Sequence, residues 1–436
     1  MSIASLDAPA AAPYAPGSRP WRGGWRDGLS YGGLGLPLAF VELPLYVLLP
    51  NYYASKYGVP LALLGAVLLA ARLLDAIADP FIGRWADALF GRSPRQALRW
   101  LAYAAIGLAI GFRALFFPPV HGGTALLVWC AAGLALTYLS FSTVMVIHQA
   151  WGARLAGDEI QRARIVAWRE GLALAGVMVA GGLRSAASLD ISTWVFAGLL
   201  LAGVALLSRA PRAGKPWVDN PKVSMWLPWR TQAFRRLLSI YLFNGIASAV
   251  PATLVLFFIQ DRLEAPAYQG LFLGSYFAAA AVAIPVWVRL VPRFGLARTW
   301  LAAMLLAIAT FGWATQLGRG DVVGFAVVCL TSGVALGADL TLPSAMLTGV
   351  IQRAGHGQHA EGSYLGWWSF ATKLNLALAA GLALPALQAS GYAAGVRDAA
   401  ALTALTGAYC LLPCALKAVA VAILHFGWIR APEGRS

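Results

Sequence analysis

Charge is scarce in this chain, and acidic charge is scarcest. Only 12% of the 436 residues are charged, with 18 Asp and Glu against 33 Lys and Arg, while 59% are hydrophobic. Soluble globular domains carry about 25% charged residues, so this composition excludes that class. The mean hydropathy of +0.68 instead predicts a chain that lies largely within a lipid bilayer.

Two sequence signatures of enzymes are also lacking. The chain has no GxxxxGK followed by Ser or Thr and no HExxH. The missing phosphate loop excludes an ATP-driven pump within this chain, and the missing HExxH argues against a membrane-embedded enzyme. We therefore predict no catalytic residue, no metal site and no cofactor other than a coupling ion, H⁺ or Na⁺.

Cysteine is rare as well. The four cysteines, at positions 130, 329, 410 and 414, all lie in apolar stretches. Free Cys in such surroundings behaves as a small buried hydrophobe, so we predict no disulfide.

Long apolar runs fill most of the chain. A spanning helix needs about 20 mostly apolar residues. Twelve such runs begin near Leu29, Pro60, Ala97, Thr124, Ile165, Ile191, Phe234, Tyr268, Leu296, Val322, Glu361 and Asp398. They are apolar on nearly every face, which fits helices packed among helices and not barrel strands with a period of two. The predicted fold class is an all-α membrane protein with twelve transmembrane helices.

The longest polar connection divides these spans six and six. It runs from about Arg209 to Thr231, and in many transporters such halves are parallel repeats that hold the substrate between them. We predict two pseudo-symmetric six-helix bundles, over residues 29–209 and 234–428. They are joined by a central loop over 210–233 and flanked by a disordered tail over 1–28 and a tail over 429–436.

Basic residues collect on alternate connections between the spans. This pattern predicts that both termini face the cytoplasm of a bacterial-type inner membrane. It also explains the net charge of +15 without nucleic acid. The expected partners are the lipid bilayer, a small-molecule substrate and a coupling cation, and the chain is expected to be a monomer.

Two acids lie inside span two. Asp75 and Asp79 are four residues apart, with Arg72 one turn earlier, and each ionisable group near the bilayer centre costs about 2.5 to 3.5 kcal/mol. Residues at this spacing share a helix face, and two close carboxylates raise each other's proton affinity. Sodium needs several oxygen ligands, and Ala78 offers no side-chain oxygen. The pair therefore predicts a cation site that favours protons; a structural ion pair with Arg72 or Lys373 is the alternative.

Four runs of residues carry a family resemblance. They are SYGGLG at the head of span one, RLLDAIADPFIGRWAD in span two, DEIQRARIVAWREG before span five and TKLNLALAAGLALPALQASGY in span eleven. Together they resemble the melibiose permease group, the glycoside, pentoside and hexuronide cation symporters of the major facilitator superfamily. The resemblance implies the major facilitator fold, a cation site on span two and a substrate site between the halves.

The resemblance extends to four charged positions. Asp75 and Asp79 match the paired acids of the family's cation site, and Arg169 and Lys373 match its basic positions. Arg72, Arg169 and Lys373 are therefore expected to form a charge network that couples occupancy of the site to rocking of the bundles.

The family's substrate positions are changed in this chain. Ala39 stands where sugar-transporting members have an acid, and span four reads SFSTVMVIHQAWG, without the acid and the tryptophan of the sugar site. The remaining polar candidates for substrate binding are Glu42, Ser142, His148, Asn244, Lys373 and Asn375. An alternative role stays open for each of these residues. Glu42 can pair with Lys373, and His148 can form a hydrogen bond to a backbone carbonyl. The two asparagines can bridge neighbouring helices.

A charged turn follows span two. The run GRWADALFGR contains Asp87 and Arg92, which are candidates for a latch that holds helices together at the cytoplasmic surface in one conformation and releases them in the other. The alternative is a solvated basic turn. A fainter copy, VRLVPRFGLAR, follows span eight but has no acid equivalent to Asp87.

The function predicted from these features is symport of a small polar solute, such as a glycoside or a sugar acid, coupled to a cation. Two alternatives remain open. One is a transporter of lysolipid or another amphipathic compound, and the other is a non-transporting membrane sensor of the same fold.

Overall fold

The computed structural model of the chain describes residues 21–155, 157–186, 189–211, 224–389, 392 and 398–430. Within these ranges the chain is helical and has no strand. Most of the predicted tail over 1–28, the middle of the predicted central loop at 212–223 and the final residues 431–436 lie outside the described residues. The prediction of an all-α membrane protein is confirmed.

The helices of the first half follow the predicted spans. Span one consists of α1 (Trp25–Gly32), α2 (Gly35–Leu43), a π-helical turn (Pro44–Leu48) and α3 (Leu49–Tyr57). The others are α4 (Leu61–Arg92), α5 (Pro94–Phe116), α6 (Gly123–Leu155), α7 (Glu159–Ala186) and α8 (Leu189–Ser208).

The second half begins with the short α9 (Leu227–Arg230). It continues with α10 (Gln232–Phe257), which runs on into a π-helical turn (Phe258–Arg262), then α11 (Gln269–Ala314), α12 (Val322–Arg353) and α13 (Glu361–Ala389). The last span is formed by α14 (Ala399–Thr406), a π-helical turn (Gly407–Leu411) and α15 (Leu412–Leu424), and it ends in a further π-helical turn (His425–Ile429).

Local sequence chemistry sets two of the turns. Ser93 separates α4 from α5 in an extended conformation, and its hydroxyl accepts a hydrogen bond from the Gln96 backbone N–H at 3.1 Å, while Pro94 takes the first helical position. Gly295 has φ +75° and interrupts the helical geometry of α11. Only glycine adopts that conformation readily. Helix resumes directly after Gly295, and α11 therefore contains both predicted spans eight and nine.

Eight continuous helices of the described residues are long and apolar enough to cross a bilayer. They cover nine of the predicted spans, because one of them contains spans eight and nine. Spans one, two and eleven are helical but are not among the eight; span two carries Arg72, Asp75 and Asp79. The total of twelve therefore stays a prediction.

Helices of the two halves pack against one another, α7 against α11 and α12, and α4 and α6 against α13. On one side α7 packs against α11, where Leu174, Ala280 and Ile284 form a small buried cluster. On the other side α4 packs against α13 with their backbones in contact at Gly83 and Gly362. A Cβ atom on Gly83 would lie 2.1 Å from the Gly362 carbonyl oxygen, so only glycine permits this approach.

We expect Gly83→Ala to destabilise the described arrangement by about 1 to 3 kcal/mol, the usual effect of overpacking, because the new methyl group meets backbone that cannot move aside. The melting temperature in detergent should fall. Gly65→Ala is the matched control, since Gly65 is on the same helix with open space around it. Equal melting temperatures for Gly83→Ala and wild type would contradict the close approach of α4 and α13.

Candidate cation and substrate site

The ammonium group of Lys373 lies between the two acids of span two. Its Nζ is 2.7 Å from Asp75 Oδ2 and 2.8 Å from Asp79 Oδ2. It also donates a hydrogen bond to Ser142 Oγ at 2.7 Å, and Ser142 in turn donates to Asp75 Oδ1 at 2.6 Å. We call these four residues the acid–lysine cluster.

Three helices build the acid–lysine cluster. Helical spacing puts Asp75 and Asp79 on one face of α4, while α6 brings Ser142 and α13 brings Lys373. The close contact of α4 with α13 continues here, because a Cβ on Gly366 would lie 2.5 Å from the Asp79 carbonyl oxygen. The cluster therefore bridges the first and second halves of the chain.

The acid–lysine cluster is shielded from solvent but not sealed. The Asp79 side chain is fully buried, the Asp75 side chain is 6% exposed, and the Lys373 side chain is 18% exposed. With both acids ionised, one ammonium leaves a net charge of −1. A site of this charge suits one additional monovalent cation.

The other two basic residues of the predicted network lie elsewhere. The guanidinium of Arg169 donates to Glu170 Oε1, with Nε at 2.9 Å, and lies near Tyr31. Arg72 lies beside Tyr138. The structure thus brings Lys373 to the acids, whereas Arg169 contacts an acid on its own helix.

Glu42 and His148 occupy different surroundings. Glu42 is half-buried and within electrostatic range of Glu170, Lys373 and Asp75, so both its predicted substrate role and its pairing with Lys373 stay open. His148 is buried, and its Nε2 is 2.8 Å from the Tyr31 carbonyl oxygen. That contact is the one expected of a structural histidine, and a role in substrate binding stays a prediction.

The asparagine on α10 belongs to a second charged cluster, within the second half. Asn244 Oδ1 accepts a hydrogen bond from Lys417 Nζ at 2.6 Å, and Lys417 pairs with Asp339 Oδ2 at 2.9 Å. Trp300 Nε1 donates to Asp339 Oδ1 at 2.8 Å, and Ser248 Oγ lies 3.2 Å from Lys417 Nζ. We call this group the Asp339–Lys417 cluster.

The sequence reasoning missed the Asp339–Lys417 cluster. Asp339 lies in span ten and Lys417 in span twelve, and an ionisable residue inside a span is the same signal that identified Asp75 and Asp79. The two residues are 78 positions apart, so the sequence did not indicate that they pair.

Asn375 is buried on α13, two residues after Lys373. Its amide packs against Gly245, where a Cβ would lie 1.9 Å from Asn375 Nδ2. This contact joins α13 to α10 and fits the helix-bridging alternative, while a contact with substrate stays a prediction.

Asp87 lies at the end of α4 in a buried set of contacts that crosses the halves. Its carboxylate accepts hydrogen bonds from the backbone N–H groups of Gly362 and Ser363, each at 2.7 Å. Arg154 donates to Asp87 at 3.2 Å and pairs with Glu361 at 3.0 Å. An anion at the N-terminus of α13 is favourable because the helix dipole is positive there.

Arg92, the other predicted latch residue, is exposed at the end of α4. The structure therefore brings Asp87 together with α13 and Arg154, and it leaves Arg92 at the surface. Both latch assignments stay predictions.

Ionisable groups buried where two helical halves meet are typical of polytopic secondary transporters, and this is the class that the fold and the site define. The chain belongs to the MFS/sugar transport protein family, whose profile matches residues 30–430. The resemblance to the glycoside and pentoside symporters of the major facilitator superfamily is thereby confirmed. The chain is a multi-pass membrane protein of a transporter family, as predicted.

Individual relatives are distant. The chain is 24% identical over 303 residues to the inner membrane symporter YicJ of Escherichia coli (strain K12), a match that spans 64% of this chain and 65% of YicJ, just under two thirds. It is 23% identical over 423 residues to the isoprimeverose transporter of Lactiplantibacillus pentosus, covering 89% of this chain and 85% of the relative.

A solved structure matches the fold over most of its length. The crystal structure of FucP, a major facilitator superfamily transporter in the outward conformation, superposes with a TM-score of 0.66 at 14% identity. The match covers 92% of this chain and 98% of FucP. At this identity the likeness shows the fold alone, and it confirms the predicted major facilitator fold.

Proposed function

We propose that this protein is a cation-coupled symporter that moves a small polar solute, such as a glycoside or a sugar acid, by alternating access. The observation that supports this most strongly is the contact of Lys373 with both Asp75 and Asp79 where the two halves meet. Buried charge is costly in a membrane. A cluster that spans both halves links its charge state to their relative movement.

The net charge of the acid–lysine cluster suggests how coupling works. When a cation neutralises one carboxylate, that carboxylate holds Lys373 less strongly. Helix α13 then moves more easily relative to α4, because the ion pair between them is weakened. Alternating access follows if the loaded and empty clusters favour different arrangements of the halves.

Protons are favoured over sodium on this geometry. Lys373 already occupies the space between the carboxylates, and a sodium ion would need several oxygen ligands in the same space. A proton needs only one carboxylate oxygen. Ala78 on α4 has no side-chain oxygen to offer a sodium ion, which supports the same preference.

The substrate class rests on similarity. The relative from Lactiplantibacillus pentosus is a transporter of isoprimeverose, which supports a glycoside for this chain. Arg169 pairs with Glu170, and Lys373 lies between two acids, so their charge does not favour a sugar acid over a glycoside. A panel of isoprimeverose, methyl glucoside and glucuronate covers both.

Uptake into proteoliposomes tests the proposal. With an alkaline interior and no sodium, we expect at least one sugar of the panel to accumulate, by about tenfold per pH unit for one proton per solute, because tenfold corresponds to about 1.4 kcal/mol. Accumulation that requires a sodium gradient instead would overturn the proton assignment. If neither gradient drives accumulation of any sugar, a non-transporting sensor becomes the better account.

One observation favours a second candidate, transport of an amphipathic compound. An apolar groove of about 780 Å³ lies between α11 and α12, lined by Val282, Val286 and Leu330 among others. The groove belongs to the second half alone, so an occupant there would not contact both halves. Gradient-driven uptake of fluorescent lysophosphatidylcholine, in place of sugars, would support this candidate.

A further inference from the structure

The apolar groove between α11 and α12 opens at the outer surface of the helices. Its wall includes Val282, Val286 and Leu290 of α11 and Leu330 of α12. Val282 is 72% exposed, so an occupant can enter from outside the protein. An exposed apolar surface of a membrane protein meets hydrocarbon chains of lipid. We call this feature the α11–α12 groove.

The wall of the α11–α12 groove favours hydrocarbon over a polar solute. Three of its side chains are polar, and each already donates to a backbone carbonyl. Ser275 and Thr331 donate to carbonyls of their own helices at 2.9 Å and 2.8 Å, and Trp287 donates to a carbonyl of α12 at 2.7 Å. A sugar in the groove would lose hydrogen bonds to water without replacing them, whereas an acyl chain loses none.

Two arginines extend the face of α11 that lines the groove. Val282, Val286, Arg289 and Arg293 are spaced four, three and four residues apart, which places them on one helix face. Ile284, which packs against α7, lies on the opposite face. Both arginines are exposed, and α11 contains no Asp or Glu to balance their charge. The groove therefore continues into a positively charged surface.

The dimensions of the groove match one leaflet of a bilayer. From Ser275 to Leu290, α11 rises about 22 Å at about 1.5 Å per residue. One leaflet contributes about 15 Å of hydrocarbon, half of the usual core thickness of about 30 Å. Arg293 follows Leu290 by one turn and so lies at the level of the headgroups. This end of α11 is on the predicted cytoplasmic side, where anionic lipids attract basic residues.

We propose that the α11–α12 groove binds one anionic phospholipid of the predicted cytoplasmic leaflet. An acyl chain lies against Val282 and Val286, and the phosphate meets Arg289 and Arg293. A guanidinium donates paired hydrogen bonds to phosphate oxygens in a fixed geometry. The apolar wall thus supplies affinity for the chain, and the arginines supply the preference for a negative headgroup.

The lipid in this groove is a resident ligand and not cargo. The residues that line the groove come from α11 and α12 alone, so its occupant does not reach the acid–lysine cluster where the halves meet. The inference goes beyond the proposed symport and does not depend on it.

Native mass spectrometry of the purified, delipidated full-length protein tests the inference. The probes are phosphatidylglycerol and phosphatidylethanolamine with identical acyl chains. We expect one phosphatidylglycerol to bind at least about tenfold more tightly than phosphatidylethanolamine, because each basic residue near the membrane surface adds to the attraction for anionic lipid. Phosphatidylglycerol should also raise the melting temperature more, since a ligand that binds the folded state stabilises it.

Replacing both arginines tests the headgroup site. In Arg289→Gln, Arg293→Gln, the affinity for phosphatidylglycerol should fall by about tenfold or more, to that of phosphatidylethanolamine. The matched control is Arg95→Gln, Arg99→Gln. These arginines are also exposed, four residues apart and on the predicted cytoplasmic side, at the start of α5. They lie outside the groove, so the control should keep the preference of wild type.

Filling the groove tests the acyl-chain site. Val282→Trp should weaken binding of both phospholipids by about tenfold or more, because the indole ring takes the space in which the chain buries apolar area. Leu201→Trp is the matched control, since Leu201 is 62% exposed on α8 and does not line the groove. Equal melting temperatures of the two variants without lipid show that both are folded.

Several results would overturn the inference. Equal affinities of wild type for the two phospholipids, or equal losses in the two arginine double variants, would show that Arg289 and Arg293 recognise no headgroup. Dimers that Val282→Trp dissociates would show that a second copy of the chain covers the groove. Tighter binding of lysophosphatidylcholine than of phosphatidylglycerol would identify the groove as a site for amphipathic cargo. Sugar uptake in proteoliposomes tests symport separately from all of these.

Discussion

Replacing Asp79 with Asn is expected to abolish the accumulation of solute driven by a pH gradient. The Asp79 side chain is fully buried, and its carboxylate pairs with Lys373 at 2.8 Å. Without that carboxylate, Asp75 and Lys373 balance each other and the site attracts no further cation. Because the coupling cation then has no site, we expect gradient-driven uptake to fall by about 100-fold or more, which corresponds to about 3 kcal/mol of lost coupling.

The measurement is initial uptake into proteoliposomes, and a second assay separates coupling from folding. Asp79→Asn should still exchange labelled for unlabelled solute when no gradient is imposed. Asp190→Asn is the control, because Asp190 forms an exposed pair with Arg113 at 2.9 Å and such surface pairs contribute at most about 1 kcal/mol. Full accumulation by Asp79→Asn would remove the acid–lysine cluster from the mechanism.

Replacing Asp87 with Ala is expected to separate α4 from α13 on the predicted cytoplasmic side. The substitution leaves Arg154 and the N–H groups of Gly362 and Ser363 without their shared acceptor. Breaking such a buried charge contact costs about 3 to 5 kcal/mol, which favours separation of the halves by about 100-fold or more. Uptake should fall as well, because the described arrangement becomes rare.

Spin labels on both halves can measure this separation. Arg95→Cys and Arg353→Cys place exposed labels on α5 and α12, in a background without the four native cysteines. Double electron–electron resonance should show a longer or broader distance distribution for Asp87→Ala than for wild type. Arg92→Ala is the control, since Arg92 is exposed, and it should leave the distribution unchanged. A distribution in Asp87→Ala that matches wild type would show that Asp87 does not hold the halves together.

Periodicity along the chain identified the helices and one feature of the site. Apolar runs of spanning length predicted α4 through α8, because a helix in a bilayer must satisfy its own backbone hydrogen bonds. The four-residue spacing of Asp75 and Asp79 placed both carboxylates on one face. Both conclusions depend only on residues close in sequence, so the chain alone was sufficient for them.

The partners of these acids could not be predicted in the same way. Arg72, Arg169 and Lys373 were all candidates, and Lys373, which is 294 residues from Asp79, is the one that meets both acids. Ser142 was predicted as a substrate contact, yet it also donates to Asp75. Which of these groups meet depends on how α4, α6 and α13 are rotated and packed.

The sequence by itself determined that this protein is a helical membrane protein with a pair of acids on one helix face inside a span, because hydrophobicity and helical spacing are local properties. Only the tertiary structure decided that Lys373 lies between those acids, that Asp87 meets the N-terminus of α13, and that Asp339 pairs with Lys417. These contacts depend on the close approach of helices distant in sequence, at glycines such as Gly83 and Gly362. No periodicity in the chain encodes which distant helices will pack together.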